Sequence, residues 1–262
     1  MAIYIDPDYT FFDSAEDEVA LDITKLAPAS TSLPFILLTS CNGTYFDIYF
    51  EDYIRSVQNI DPSPVVHVHI SNPTSKSEHI FKSTIYGIDA EVRLTTEKAP
   101  ESPAYYACRR FMIAPDLIDF YEKDALITDI DTAFTKNIPA LPATVGSHDA
   151  GLFMRQGCSP EEIFHCSLSY FRNTASTLQG LRWIRPYMLQ KLTEFDSWML
   201  DQCSLFLLAN RASQGRHDRA WSNLADFSMC DLETTSGRPL ECFSVNQDKP
   251  HEQRNELRAY QD

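Results

Sequence analysis

The stretch FILLTSCNGTYFDIYFEDYIRSV, residues 35–57, contains two patterns of apolar residues, one typical of a buried strand and one typical of a helix. Together they indicate the fold class. The first seven residues of the stretch form an apolar run that ends at Asn42-Gly43, which predicts a buried strand followed by a turn. Beyond that turn, apolar side chains recur at the spacing of a helix that lies on a core. They are Phe46, Tyr49, Phe50, Tyr53, Ile54 and Val57. A strand joined directly to such a helix is the repeating unit of α/β proteins.

The same alternation of strand and helix continues along the chain. Three further segments have the composition of strands: VVHVHIS (65–71), DAEVRLTT (89–96) and ALITDID (125–131). The helix after the first of them would open with a capping box of Ser75 and Glu78. The next helix is predicted from about Ser102 to Met112, with Pro115 beginning another turn. Alternating strands and helices imply a parallel sheet, in which ligands bind outside the carboxyl ends of the strands.

The second half of the sequence reads as a mixture of strands and helices. Two segments resemble strands, 151–155 and 161–171, and two resemble helices, 175–192 and 197–210. The tail from about residue 216 is polar, with weak strand signals near Phe227 and Phe243. We therefore expect a single domain over residues 33–262, with a mostly parallel central sheet flanked by helices and a mixed second half. Residues 1–32 are acidic and without a sustained period, so they are predicted to form an arm or irregular lead-in.

The composition of the 262 residues narrows the classes of function. Hydrophobic residues make up 44% and charged residues 23%, as in soluble globular proteins. The formal net charge of -15 argues against nucleic acid as a partner, because its phosphates would be repelled. No apolar run approaches the roughly 20 residues of a membrane-spanning helix, so no integral membrane segment is expected.

The cysteines and the first residues of the sequence bear on the compartment. The seven cysteines are odd in number, scattered and without a CxxC pair, which favours reduced and mostly buried thiols over disulfides or a zinc site. The initial residues lack the basic flank and apolar centre of a secretion signal. We therefore expect the protein to be cytoplasmic.

Asp129 and Asp131 stand one residue apart at the end of the fourth predicted strand. Because successive side chains of a strand alternate faces, both carboxylates would point the same way, with Ile130 behind them. Two like charges this close repel each other unless a cation lies between them. Magnesium and manganese are often held by one or two carboxylates, with water and phosphate oxygens in the other positions. The alternative is a solvated turn, in which Asp is common.

Segments around this pair resemble GT-A glycosyltransferases, particularly those of glycosyltransferase family 8. The resemblance begins with YYACRRFMIAPDLI (105–118) followed by DALITDIDTAF (124–134), which match the family's Arg-Phe helix and Asp-x-Asp strand. Three further matches occur in order, and they are residues 35–58 with 65–73, SLSYFRNT (167–174) and DSWMLDQCSLFLLAN (196–210). The resemblance spans roughly residues 34–210 and implies a GT-A-like fold.

The resemblance also implies roles for particular residues. Those that would line the nucleotide base and ribose are Thr39, Ser40, Cys41, Asn42 and Tyr45. Arg110 would reach the donor's diphosphate or sugar, and its alternative is an exposed surface charge. Asp131 would ligate Mn²⁺ or Mg²⁺, and Asp129 would contact the ribose or the metal's shell. Asp201 and Gln202 would lie near the sugar and acceptor as catalytic residues, with a buried structural network as their alternative.

The sequence departs from the family pattern at two places. Before the SLSYF segment the family has Asn-x-Gly, whereas this chain has His165-Cys166-Ser167; His165 would either bond the sugar or pack. The family's C-terminal His-x-x-Gly-x-x-Lys motif is missing, although Lys249 and His251 stand near its place as candidates for binding a phosphate and the metal. His67 and His69 share a strand face, and a core role is favoured for them over a metal pair.

The function that the resemblance implies is transfer of a sugar from a nucleotide diphosphate sugar to a glycan or other hydroxyl acceptor. A uridine diphosphate sugar is the favoured donor, and family similarity favours retention of the anomeric configuration. Chemical reasoning agrees, since a metal and a guanidinium would both stabilise the charge that grows on the departing diphosphate. Two alternatives stay open: a degenerate relative that binds a nucleotide sugar or a partner without turnover, and a phosphohydrolase that uses the same metal.

Overall fold

The computed structural model describes residues 21, 26, 33–134, 138, 141–154, 162–194, 199–213, 229–231 and 243–245. The strands are β1 (Phe35–Asn42), β2 (Val65–Ser71), β3 (Glu91–Glu97), β4 (Asp124–Thr128), β5 (Thr132–Phe134), β6 (Ala150–Met154), β7 (Phe164–Phe171), β8 (Met229–Asp231) and β9 (Phe243–Val245). The helices are α1 (Gly43–Val57), α2 (Ser77–Ile85), α3 (Pro103–Tyr121), α4 (Leu141–Val145), α5 (Ala175–Glu194) and α6 (Leu200–Ser213).

Seven strands form one sheet in the order β3-β2-β1-β4-β7-β6-β8, and β5 pairs with β9 beside it. Among the paired strands that the structure describes, β7 alone runs antiparallel to the rest of the main sheet. The predicted fold class, a mostly parallel sheet flanked by helices with a mixed second half, is confirmed. The weak strand signals near Phe227 and Phe243 correspond to β8 and β9.

Each face of the sheet is covered by its own hydrophobic core. Helix α1 packs on one face, and the six side chains of its predicted apolar stripe are all buried. Helices α3, α5 and α6 cover the other face. Leu21 and Leu26, within the predicted acidic arm, pack against this second core. Burying a large apolar side chain contributes roughly 1.5–3 kcal/mol, so these two cores hold the layers together.

The junction of β1 and α1 is tighter than the predicted Asn-Gly turn. Asn42 ends the strand and also caps the helix, because its Oδ1 accepts a hydrogen bond from the Tyr45 amide at 2.8 Å. Gly43 is the first helical residue. A Cβ atom at this position would lie 2.5 Å from the Asn72 carbonyl oxygen and 2.7 Å from the Thr74 amide nitrogen. Only glycine therefore allows α1 to begin against the segment that follows β2.

Two helix predictions need correction. Helix α2 begins at Ser77, and its N-cap residue, Lys76, makes no capping bond with its side chain, so the predicted capping box is wrong. Helix α3 runs without a break from Pro103 to Tyr121, although Pro115 was expected to begin a separate turn. A proline inside a helix costs about 3 kcal/mol or more. Here the neighbouring apolar residues Ile113, Ala114 and Leu117 are completely buried, and their packing offsets that cost.

The order of the strands determines where a ligand can bind. The chain moves from β1 outward to β2 and β3, then returns to place β4 on the other side of β1. The crevice at the carboxyl ends of β1 and β4 is thus the topological switch point, where ligands of open α/β sheets bind. Asn42 and Asp129 lie at these two strand ends. None of the described helices is long and apolar enough to cross a membrane.

Candidate active site at the switch point

The Asp-x-Asp pair lies in a turn and not in a strand. Strand β4 ends at Thr128, and the Thr132 amide donates a hydrogen bond of 3.2 Å to the Asp129 carbonyl oxygen. The prediction that strand alternation aligns the two carboxylates is therefore wrong in its reason. Ile130 is buried as expected, and both aspartates are half-buried. After this turn the chain continues as β5, which pairs with β9 beside the main sheet.

The charges of the two aspartates nevertheless both act on one neighbouring side chain, that of Tyr45. Burial raises the pKa of the Tyr45 phenol, and the charges of Asp131 and Asp129 raise it further. Burial likewise raises the pKa of the Cys41 thiol, with Asp131 as the next cause. Tyr53 from α1 shares a hydrogen bond of 2.9 Å with Thr128 Oγ1, at the last residue of β4. The end of β1, the start of α1 and the Asp-x-Asp turn therefore form one site.

Arg110 lies between Asp129 and Asp201 on the other side of this turn. One terminal nitrogen of its guanidinium forms a close ion pair with Asp129, and the other donates to Asp201 Oδ2 at 3.0 Å. Burial by itself would lower the pKa of Arg110, but the two carboxylates outweigh it and raise that pKa above its usual value. The alternative of an exposed surface charge is wrong, since the side chain is only 5% exposed.

Asp201 is held by two donors at the first turn of α6. Its Oδ1 accepts from the Gln202 amide at 2.8 Å, and its Oδ2 accepts from Arg110 at 3.0 Å. The buried Cys166 thiol lies close to this cluster, because the charges of Asp201, Arg110 and Asp129 all act on its pKa. Burial raises the pKa of Asp201, although the charge of Arg110 opposes this. Cys166 was not predicted as a site residue. Its position in the departure from the family's Asn-x-Gly was the signal that could have identified it.

His165, the neighbour of Cys166 in β7, contacts Ser167 and Phe153. Its Nδ1 forms a short hydrogen bond with Ser167 Oγ, and its ring meets the Phe153 ring edge-on with centroids 5.9 Å apart. The pairing between β6 and β7 shifts here, from Leu152 opposite Ser169 to Phe153 opposite His165. This irregularity lies in the same segment as the departure from the family's Asn-x-Gly.

The structure accounts for the other predicted site residues in different ways. Thr39 and Ser40 are buried in β1, and within the described part of the chain their hydroxyl oxygens have no hydrogen-bond partner. The side chain of Asn42 is engaged in capping α1. Lys249 and His251 lie outside the described residues. Among the residues that are described, no group of three or more His, Cys, Asp or Glu side chains could hold a metal ion.

His67 and His69 lie away from this site, beneath α3. Both rings are completely buried. Thr95 Oγ1 lies 2.9 Å from His67 Nε2 and 2.9 Å from His69 Nδ1. The expected core role is confirmed.

Comparison with known proteins gives distant structural neighbours. No family model and no curated relative matches the chain. Similar solved structures include mouse xyloside xylosyltransferase 1, at 11% identity and a TM-score of 0.42 over 67% of this chain and 80% of that one. They also include the galactosyltransferase LgtC with donor and acceptor sugar analogues, at 13% identity and 0.47 over 85% and 100%. The bifunctional glycosyltransferase WbbM matches at 13% identity and 0.49 over 79% and 40%. We therefore argue the function of this chain from its own residues.

Proposed function

We propose that this chain is a metal-dependent glycosyltransferase of the GT-A type, related to family 8, that transfers a sugar from a nucleotide diphosphate sugar to a hydroxyl acceptor. A uridine diphosphate sugar is the proposed donor, and retention of configuration the proposed outcome. The observation that carries the proposal is the crevice at the carboxyl ends of β1 and β4, where the half-buried Asp129 is paired with the buried Arg110 and Asp131 lies in the same turn. An anionic donor needs positive charge in a chain of net charge -15, and Arg110 together with a bound divalent cation would supply it.

The donor atoms in the crevice suit a hard divalent cation. Asp131 would ligate Mn²⁺ or Mg²⁺, with Asp129 contributing to the same coordination shell. Such ions are commonly bound by one or two protein carboxylates. When bound, the metal would neutralise charge on the diphosphate. His251 stays a candidate for a further ligand and Lys249 for a phosphate contact. Neither belongs to the described residues.

The ion pair of Arg110 should couple the binding of the metal to the binding of the donor. Its guanidinium is already ion-paired with Asp129. A diphosphate would offer Arg110 an anionic partner in place of Asp129, and Asp129 would then be available to the cation. Because each exchange favours the other, the two ligands should bind with positive coupling. Asp201 keeps Arg110 in the crevice during the exchange, and Gln202 begins the same helical turn.

Thr39, Ser40, Cys41 and Tyr45 are the proposed contacts for the nucleoside, because they belong to the end of β1 and the start of α1. The two buried hydroxyl groups are available for hydrogen bonds. We also propose a cytoplasmic location. The four cysteines whose side chains are described, Cys41, Cys108, Cys166 and Cys203, are buried free thiols, as a reducing compartment favours.

A second candidate function is nucleotide-sugar binding without turnover. The observation that favours it is His165, which stands where the resembling family carries the Asn of its Asn-x-Gly segment. Nδ1 of its ring shares a hydrogen bond with Ser167 Oγ. The imidazole therefore offers a sugar fewer hydrogen bonds than the family's amide would.

Release of nucleotide diphosphate decides between these functions. The chain would be incubated with Mn²⁺ and a panel of nucleotide sugars, with and without a glycan extract, and released nucleotide would be measured. We expect acceptor-dependent release from a uridine diphosphate sugar, and its loss in Asp131→Asn. Asp89→Asn, a change at an exposed residue before β3, is the matched control and should retain full activity. Binding of a nucleotide sugar without release of nucleotide would support the second function. Release of nucleotide at the same rate with and without the glycan extract would indicate hydrolysis.

A further inference from the structure

A chain of buried and partly buried hydrogen bonds lies between α3 and the strands β2 and β3. Its members are Tyr121, His67, Thr95, His69, Glu97, Ser71, Tyr105 and Arg109. The histidines alternate along β2 with Val66, Val68 and Ile70, which face α1, so the polar side chains all lie on the α3 side. Buried polar groups are retained when each is satisfied, and a fully connected network fixes its members rigidly.

The carboxylate of Glu97 sets the direction of the bonds. His69 Nε2 lies 3.1 Å from Glu97 Oε1, in close electrostatic contact, although the geometry falls short of a linear hydrogen bond. A lone pair on Nε2 would be repelled by that carboxylate, so Nε2 carries the proton. Burial keeps the ring neutral by lowering the pKa of His69. Its Nδ1 is therefore an acceptor, and the Thr95 hydroxyl, 2.9 Å away, must donate to it.

The remaining bonds follow from that assignment. Thr95 has one hydroxyl proton and gives it to His69, so its oxygen accepts from His67 Nε2 at 2.9 Å. His67 Nδ1 is then the unprotonated nitrogen, and it accepts from the Tyr121 hydroxyl at 3.0 Å. Every bond points from the end of α3 towards Glu97. The network thus has one consistent arrangement of protons, and it ends on a single carboxylate.

Glu97 links this network to α3 near the active site. Arg109 donates to both carboxylate oxygens, from Nε to Oε1 at 3.0 Å and from a terminal nitrogen to Oε2 at 2.7 Å. Ser71 and Tyr105 donate to Oε1 at 2.8 and 3.1 Å. A two-pronged bond between arginine and carboxylate fixes direction as well as distance. The first half of α3 is therefore held at a defined rotation over β2 and β3.

Arg109 and Arg110 are neighbours in the helix and point about 100° apart around its axis. Arg109 is tied to Glu97, and Arg110 to Asp129 and Asp201. Any rotation that loosens the first pair displaces the second. We infer that Glu97 is a positioning residue, which sets the rotation of α3 through Arg109 and so holds Arg110 at the donor site. This inference rests on the proposed function.

The test compares substitutions at two places in the network, Glu97 and Tyr121. Calorimetry would measure the affinity of the full chain for uridine diphosphate in the presence of Mn²⁺. Glu97→Gln keeps the size of the side chain and removes its charge, and we expect about a tenfold loss of affinity, as when a group that orients a ligand-binding residue is removed. Tyr121→Phe removes the distal bond but leaves Glu97 and Arg109 paired, so affinity should stay within about twofold of wild type.

Two controls separate positioning from general stability. Glu91→Gln breaks the Glu91–Arg93 ion pair on the same strand and should leave affinity unchanged. The melting temperature of each variant would be recorded. The inference is overturned if Glu97→Gln binds uridine diphosphate as tightly as wild type does. It is also overturned if Tyr121→Phe lowers the melting temperature as much as Glu97→Gln does and weakens nucleotide binding by the same factor.

A readout without ligand keeps the result independent of the proposed function. If the wild-type chain binds neither Mn²⁺ nor nucleotide, the proposed function fails, and labelling of buried thiols then decides the inference. The buried Cys166 lies close to Asp201 and Arg110. We expect Glu97→Gln to accelerate labelling of Cys166 about tenfold, whereas Glu91→Gln should leave its labelling rate unchanged. A Cys166 labelling rate in Glu97→Gln equal to that of wild type would refute the positioning role.

Discussion

Replacing Arg110 by methionine is the perturbation whose effect follows most directly from the site. Methionine fills much of the same space but carries no charge. The substitution leaves Asp201, which is 5% exposed, without the cation that lies 3.0 Å from its Oδ2. At an effective dielectric constant of about 20, two unit charges at that distance attract by about 5–6 kcal/mol. Breaking a buried pair from one side costs about 3–5 kcal/mol in measured cases, so we expect about 4 kcal/mol at pH 7.5.

The cost should depend on pH in a defined direction. Burial already raises the pKa of Asp201 in the native protein, and loss of Arg110 raises that pKa further. A carboxyl group whose pKa is raised on folding favours the native state at low pH, and this contribution is lost as the pH rises through the folded-state value. The difference between Arg110→Met and wild type should therefore shrink to about 2 kcal/mol or less at pH 5.

Urea denaturation at pH 7.5, 6 and 5 measures these differences directly. Asp201→Asn in the Arg110→Met background should restore part of the stability, because the stranded charge is gone. Arg55→Met is the matched control, since Arg55 pairs with Glu51 on the exposed surface of α1 and its loss should change stability by at most about 0.5 kcal/mol. The reasoning is refuted if Arg110→Met lowers the free energy of unfolding by less than about 1 kcal/mol at pH 7.5. It is also refuted if this destabilisation is no smaller at pH 5 than at pH 7.5.

Two further predictions concern the acid range and the start of α1. Burial acts to raise the pKa of Glu97, but His69 and Arg109 outweigh it and lower that pKa to about 2. Its stabilisation is therefore complete above the unfolded value near 4.5 and is lost as the pH falls towards 2. Between pH 4.5 and pH 2 the free energy of unfolding should fall by about 2 kcal/mol more in wild type than in Glu97→Gln, as measured by denaturation. An equal dependence of that free energy on pH in the two proteins would contradict the assignment. Gly43→Ala forces a Cβ to within 2.5 Å of the Asn72 carbonyl, so α1 must shift. A cost of about 1–3 kcal/mol in urea is expected, and a neutral substitution would show that the contact can relax.

The periodic elements of the fold could be predicted because one-dimensional patterns determine them. Phe46, Phe50 and Ile54 recur at helical spacing, and all of them are buried in α1 as the pattern indicates. The parallel part of the sheet follows from the alternation of strand and helix. Pro115 was misread because its cost is local, whereas the packing that offsets it comes from residues distant in sequence. A single sequence shows the local cost of the proline, but it does not show the packing by distant residues.

The site was predictable in its membership more than in its contacts. Asp129 and Arg110 were identified by resemblance, and the structure pairs them. The partner of Arg110 at Asp201 is 91 residues away in sequence, so no spacing rule could reveal that bond. The turn at residues 129–131 was taken for a strand because its apolar and acidic residues alternate by chance. The strand that follows this turn, β5, pairs with β9, which lies more than 100 residues later in the sequence.

The measurement that tests the central claim most directly is a calorimetric titration of Mn²⁺ into the chain with and without uridine diphosphate. We expect the nucleotide to tighten metal binding by about tenfold or more, because each ligand releases one half of the Arg110–Asp129 pair for the other. Asp131→Asn should abolish metal binding in both conditions. Metal that binds equally well without nucleotide, or that binds undiminished to Asp131→Asn, would contradict a metal and diphosphate site at the ends of β1 and β4.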